Sequence, residues 1–86
     1  MLPSGLPIVE QEGIHAHIAH YREWLDAGRL LFGGPFLDPR GGGMMVPTAG
    51  LTEAEVVAFA QADPAVQSGL LVADVRPWLI GMRQAT

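Results

Sequence analysis

The sequence contains no cysteine. Disulfide staples, thiolate metal sites and cysteine nucleophiles are therefore all excluded. Charge is scarce as well: 16% of residues are charged, the formal net charge is −4, and there is no basic run and no stripe of Lys or Arg. Nucleic-acid binding needs a cluster of cations against the phosphate backbone, so neither DNA nor RNA is expected as a partner. No segment approaches about eighteen consecutive apolar residues, and the start of the chain lacks a basic region followed by an apolar stretch, which gives no support for a membrane span or a signal peptide. The expectation is a soluble cytoplasmic protein.

What the chain does have is apolar material. With 86 residues and 49% hydrophobic content, it is long enough for one domain but carries more apolar surface than a two-layer monomer of this size easily hides. A homodimer is the expected remedy. The central feature is Gly28-Arg29-Leu30-Leu31-Phe32-Gly33-Gly34-Pro35-Phe36, an apolar run too short for a helix and bounded by glycines, which reads as a buried strand.

Residues 1–13 are interrupted by Pro3, Gly5, Pro7 and Gly13, so they read as an irregular segment in which only residues 6–10 could form a short edge strand. Residues 14–86 form the single folded domain. Ile14, Ile18, Tyr21, Trp24 and Leu25 recur at a helical period of about 100° per residue, with Arg22, Glu23 and Asp26 opposite. Gly28 stands where a left-handed cap ends such a helix. Phe36 to Gly43 is a loop of turn residues leading to a second strand at Met44-Met45-Val46, a β-hairpin. The triple glycine lacks the order and the Lys-Ser/Thr pair of a phosphate-binding loop, and no cofactor is implied.

Thr52-Glu53-Ala54-Glu55 is a capping box. It starts a helix at Glu53 whose stripe is Val56, Phe59 and Ala60, and Pro64 stops that helix near Asp63. Residues 70–76 alternate as a last strand, with Asp74 and Arg76 on one face and Val75 on the other. Trp78, Leu79, Ile80 and Met82 form an apolar segment that needs a surface to cover. The resulting order of short strand, helix, strand, strand, helix, strand is an α+β plan, the ferredoxin-like βαββαβ antiparallel sheet with two helices on one face. Two such sheets packed face to face would bury the uncovered sides in a dimer.

Three histidines, His15, His17 and His20, share the first helix. His15 and His17 lie about 200° apart on a helix and cannot ligate one ion, so no metal site is expected. His17 falls between Trp24 and Tyr21 inside the apolar stripe, whereas His15 and His20 fall outside it. Taken alone, His17 is accounted for as a core histidine bonded to a carbonyl, and Asp63 as a helix-terminating residue bonding backbone N–H groups. Taken together they suggest a dyad in which Asp63 orients His17, leaving its other ring nitrogen to take or deliver a proton. Tyr21, one turn away, could donate to a substrate, and Trp24 and Trp78 would wall the pocket or the dimer interface. No serine or threonine has a nucleophile-elbow context.

These residues resemble the YciI-like (YCII-related) family. The likeness is carried by His17-Ile18 with Gly28 following, by Gly28-Arg29-Leu30-Leu31-Phe32-Gly33-Gly34-Pro35, by Ala62-Asp63-Pro64-Ala65-Val66 with Gly69-Leu70, and by Val75-Arg76-Pro77-Trp78. It covers about residues 14–80. The resemblance implies a ferredoxin-like fold in the dimeric α/β-barrel superfamily and a His–Asp pair as the active site, here His17 and Asp63. Tyr21, Trp24, Gly34 and Pro35 are the substrate-binding candidates beside that pair. A few relatives are described as lyases that eliminate chloride from chlorinated aromatic breakdown products. Family members begin with a well-formed hydrophobic strand; here only Leu6-Pro7-Ile8-Val9 is available, so the first strand is expected to be short or missing. Two functions follow as expectations: a lyase or isomerase acting on a compact cyclic or aromatic metabolite, or a non-catalytic dimeric binding or stress-associated module.

Overall fold

The computed structural model describes residues 13–84, which form an α+β unit in the order α1 (Ile14–Asp26), β1 (Leu30–Pro35), β2 (Gly43–Pro47), α2 (Glu53–Gln61) and α3 (Pro64–Gln67). The edge strand expected at residues 6–10 lies outside the described residues.

Helix α1 ends as its glycine dictates. Gly28 adopts φ 76°, its N–H donates to the Leu25 carbonyl at 3.2 Å, and the Arg29 N–H donates to the Trp24 carbonyl at 2.8 Å. This pair of bonds closes the last turn and satisfies two carbonyls that would otherwise face the turn unpaired. The chain then enters β1, which pairs antiparallel with β2 through Phe32 opposite Val46, Gly33 opposite Met45, Gly34 opposite Met44 and Pro35 opposite Gly43. The register is irregular between Leu30 and Phe32. At Gly33 the Met45 sulfur and the Met44 carbonyl crowd the space where a Cβ would stand, so a side chain there would displace Met45 and press on the β2 backbone. At the hairpin tip, Asp38 accepts from the Arg40 backbone N–H at 2.9 Å and from its guanidinium at 3.2 Å, a side-chain-stabilised turn.

Helix α2 opens with the capping box read from the sequence: Thr52 Oγ1 accepts from the Glu55 N–H at 3.1 Å, and Glu55 accepts from the Thr52 N–H at 2.9 Å. The chain breaks at Asp63 and restarts as the single turn α3 with Pro64 in its first position. That turn was not anticipated. It follows from proline chemistry, because Pro64 cannot continue α2 but its fixed φ suits a new helical start.

Two expectations need correction. Residues 70–76 are not a strand: among the described residues the sheet has two strands only. Their side chains do alternate, with Leu71, Ala73 and Val75 half-buried and Val72, Asp74 and Arg76 exposed, yet the Leu71 N–H is taken by the Ala65 carbonyl at 2.9 Å. Alternation marks an extended segment with one face against the protein, whereas a strand also requires a neighbour's backbone. Second, Ile18 and Leu25 are 47% and 40% exposed. The buried side of α1 runs through Ile14, His17, Tyr21 and Trp24 instead, at spacings of three and four residues.

Among the described residues the buried apolar ones are Ile14, Trp24, Leu30, Val46, Ala60 and Ala65, joined by one buried charged residue, Asp63. Helix α1 packs on β1 and on α3, and α2 reaches α1 through Phe59.

Candidate functional site

Asp63 occupies the joint between α2 and α3 in an extended conformation, φ −59° and ψ 124°, as the residue before a proline should. That geometry turns its carboxylate inward, where the residue is only 1% exposed. Both oxygens have partners. Oδ1 accepts from the Ala65 N–H at 2.9 Å, capping α3. Oδ2 lies 2.5 Å from Nδ1 of His17, across 46 positions of sequence.

His17 therefore holds its proton on Nδ1, since a carboxylate can only accept. A ring N–H donating to a carboxylate makes a charge-assisted bond. Its other nitrogen, Nε2, makes no hydrogen bond among the described residues, and no buried side-chain nitrogen or oxygen among them is left unpaired. The His17 side chain as a whole is 13% exposed. A neutral imidazole held in this way presents one lone pair outward and can gain a second proton with a carboxylate already in place to stabilise it.

Around this pair lies an aromatic cluster. The Tyr21 ring sits edge-on to His17 at 5.3 Å, to His20 at 5.4 Å and to Phe59 at 5.2 Å. Burial, and secondarily the negative charge of Asp63, push the Tyr21 phenol above its ordinary value of 10.0. It is a neutral hydroxyl donor at physiological pH. Phe59 is sandwiched between two residues of α1, stacked on Trp24 at 3.8 Å and on His20 at 3.9 Å.

His20 is the residue the sequence reading missed. Placed outside the stripe of α1, it is half-buried, and its Nε2–H donates to the Phe59 carbonyl at 2.7 Å. The signal was present as the four-residue spacing of His20 and Trp24, but only the position of Phe59 on the other helix makes that side of α1 apolar. The two histidines thus hold different acceptors, and among the described residues no group of three or more His, Cys, Asp or Glu side chains is placed to hold a metal ion. His15 is exposed.

Of the other expected neighbours, Trp24 is 8% exposed beneath Phe59. Gly34 and Pro35 lie at the far end of β1, without a hydrogen bond to His17, Tyr21 or Asp63, and the space where a Cβ of Gly34 would point is open. A shallow depression lined by Phe36, Asp38, Arg40 and Gly41 belongs to the hairpin tip, where the two charged groups satisfy each other.

Fold and site together define a small α+β protein with a part-buried histidine held by a buried aspartate at a seam between helices. The chain belongs to the YCII-related domain family, whose model matches residues 4–79. Comparison with curated proteins and with solved structures finds no match. No helix among the described residues is long and apolar enough to cross a membrane.

Proposed function

We propose that this protein is a lyase or isomerase for a compact cyclic or aromatic metabolite, with His17 as the proton-transfer group. The observation that carries the reading is the fully engaged Asp63 carboxylate: bonded at 2.5 Å to Nδ1, it leaves Nε2 as the one ring nitrogen available to a ligand. In the proposed step Nε2 takes a proton from carbon next to a carbonyl, and the C–H electron pair moves toward the carbonyl oxygen. An elimination then follows if that pair returns to expel a leaving group from the adjacent carbon; an isomerisation follows if the imidazolium returns the proton elsewhere. Asp63 is the positioning residue, Tyr21 donates to the developing oxyanion, and the opening beside Gly34 and Pro35 leaves room for the ligand. The working unit is a homodimer of ferredoxin-like domains closing a barrel.

The test is proton exchange. Cyclic ketones and enol lactones incubated with the protein in D2O should gain deuterium at the carbon next to the carbonyl, read by NMR. His17→Gln should lower the rate by about a hundredfold or more, the scale of general acid–base catalysis. Equal rates in wild type and His17→Gln remove the enzyme reading.

The rival reading, a non-catalytic binding module, draws on the other oxygen of Asp63. Because Oδ1 caps α3, the carboxylate also has a purely structural use. On that reading Asp63→Asn alters stability, and no probe exchanges.

A further inference from the structure

Resting on that reading of His17, we infer that the site selects by charge: it accepts an uncharged ligand and rejects carboxylates and phosphates. Asp63 brings one negative charge into a place 1% exposed, where water screens it little. Among the described residues no cationic side chain pairs with it. The chain has five cationic side chains, Arg22, Arg29, Arg40, Arg76 and Arg83, and no lysine. All five arginines are exposed. Arg40 pairs with Asp38 and Arg76 with Asp74, and none makes an ion pair with Asp63. Arg22 stands on α1 about 140° round from His17, at 100° per residue.

An anionic ligand at Nε2 would approach the Asp63 charge through one imidazole ring with no guanidinium or ammonium to offset it, and sites built for carboxylate or phosphate supply such a partner. A cationic ligand has no direct partner either, since both Asp63 oxygens are taken by Ala65 and His17. What remains on offer is neutral: the Nε2 lone pair, the Tyr21 hydroxyl and aromatic edges. That set matches a ketone, lactone, phenol or amide.

Covalent labelling of the intact protein tests this without knowledge of the natural ligand. Bromoacetamide and bromoacetate have nearly the same size and the same reactive carbon and differ by one negative charge. Each alkylates an imidazole nitrogen as the lone pair attacks the CH2 carbon and bromide departs. With no cysteine to compete, peptide fragmentation reports the rate at each histidine. The exposed His15 provides the reference on the same helix. The expected result is an amide-to-acid rate ratio at His17 at least tenfold above that at His15. In Asp63→Asn, which keeps an acceptor for the Ala65 N–H, the His17 ratio should fall to that of His15. A wild-type ratio at His17 equal to or below that of His15 overturns the inference even if the variant does not fold. Failure of both reagents to label His17 overturns it too, because the site would then be closed. Neither outcome depends on proton-exchange activity, so the charge rule and the enzyme reading can fail separately.

Discussion

At the scale of the residue, Tyr21 offers an unusually clean report on Asp63. It is the single tyrosine of a chain with no lysine and no cysteine, so above the α-amino group, which titrates at about 8, tyrosinate absorbance follows this one side chain. The expected titration lies above 10.0, because burial and then the Asp63 charge both disfavour the phenolate. In Asp63→Asn the midpoint should fall, yet stay above the ordinary value, since burial is the larger cause. The linkage has a definite sign. A folded-state value raised above the unfolded one adds stability that is complete below 10.0 and is lost as pH climbs through the folded value. Urea midpoints measured across that range should therefore decline more steeply in wild type than in Tyr21→Phe. A midpoint at 10.0 in both wild type and Asp63→Asn would place Tyr21 away from the buried carboxylate.

At the scale of the element, what was legible in the sequence was local, and what was not legible depended on distant partners. Gly28 ending α1 and the Thr52–Glu55 box starting α2 are decisions taken within one turn of chain, and both stand as read. The nearness of His17 and Asp63 was also readable, because each residue breaks the apolar pattern of its own helix and two adjacent helices bring such breaks together. His20 could not be read this way, because the apolar side it joins is supplied by Phe59 of α2 and not by the pattern of α1 itself. Nor could residues 70–76, where alternation recorded a half-buried face but no strand partner among the described residues. The two adjacent glycines of β1 separate fold from function. Gly33→Ala should destabilise by about 1–3 kcal/mol, the cost of overpacking, because Met45 and the Met44 carbonyl fill its Cβ site. Gly34→Ala meets nothing within 4 Å and should leave the denaturant midpoint almost unchanged. If Gly34 borders the ligand, the same variant should nonetheless weaken ligand binding. Equal midpoints for the two variants would contradict the strand approach described for Gly33.

At the scale of the whole molecule the balance of buried and exposed apolar groups points outward. Among the described residues the buried apolar set is six, two of them alanine, while Phe32 is 57% exposed, Trp78 63%, Leu79 85% and Met82 94%. Burying a large apolar side chain contributes about 1.5–3 kcal/mol, so leaving these groups in water forgoes much of what a domain this small needs. A second copy of the chain is the partner available at any concentration the protein reaches, and two-fold symmetry would double each contact made. On this argument sedimentation at micromolar concentration should give a dimer. Phe32→Glu and Trp78→Glu test the two ends of the exposed surface separately. A charge inserted into a buried interface must be desolvated without a partner, so whichever residue lies in the interface should shift the population toward monomer by tenfold or more. Circular dichroism of the same variants keeps dissociation distinct from unfolding: an intact helical signal with a halved mass places the residue in the contact. A wild-type monomer at micromolar concentration with an unchanged thermal transition on dilution would mean that the six-residue core suffices alone, and the barrel of two sheets would have to be abandoned.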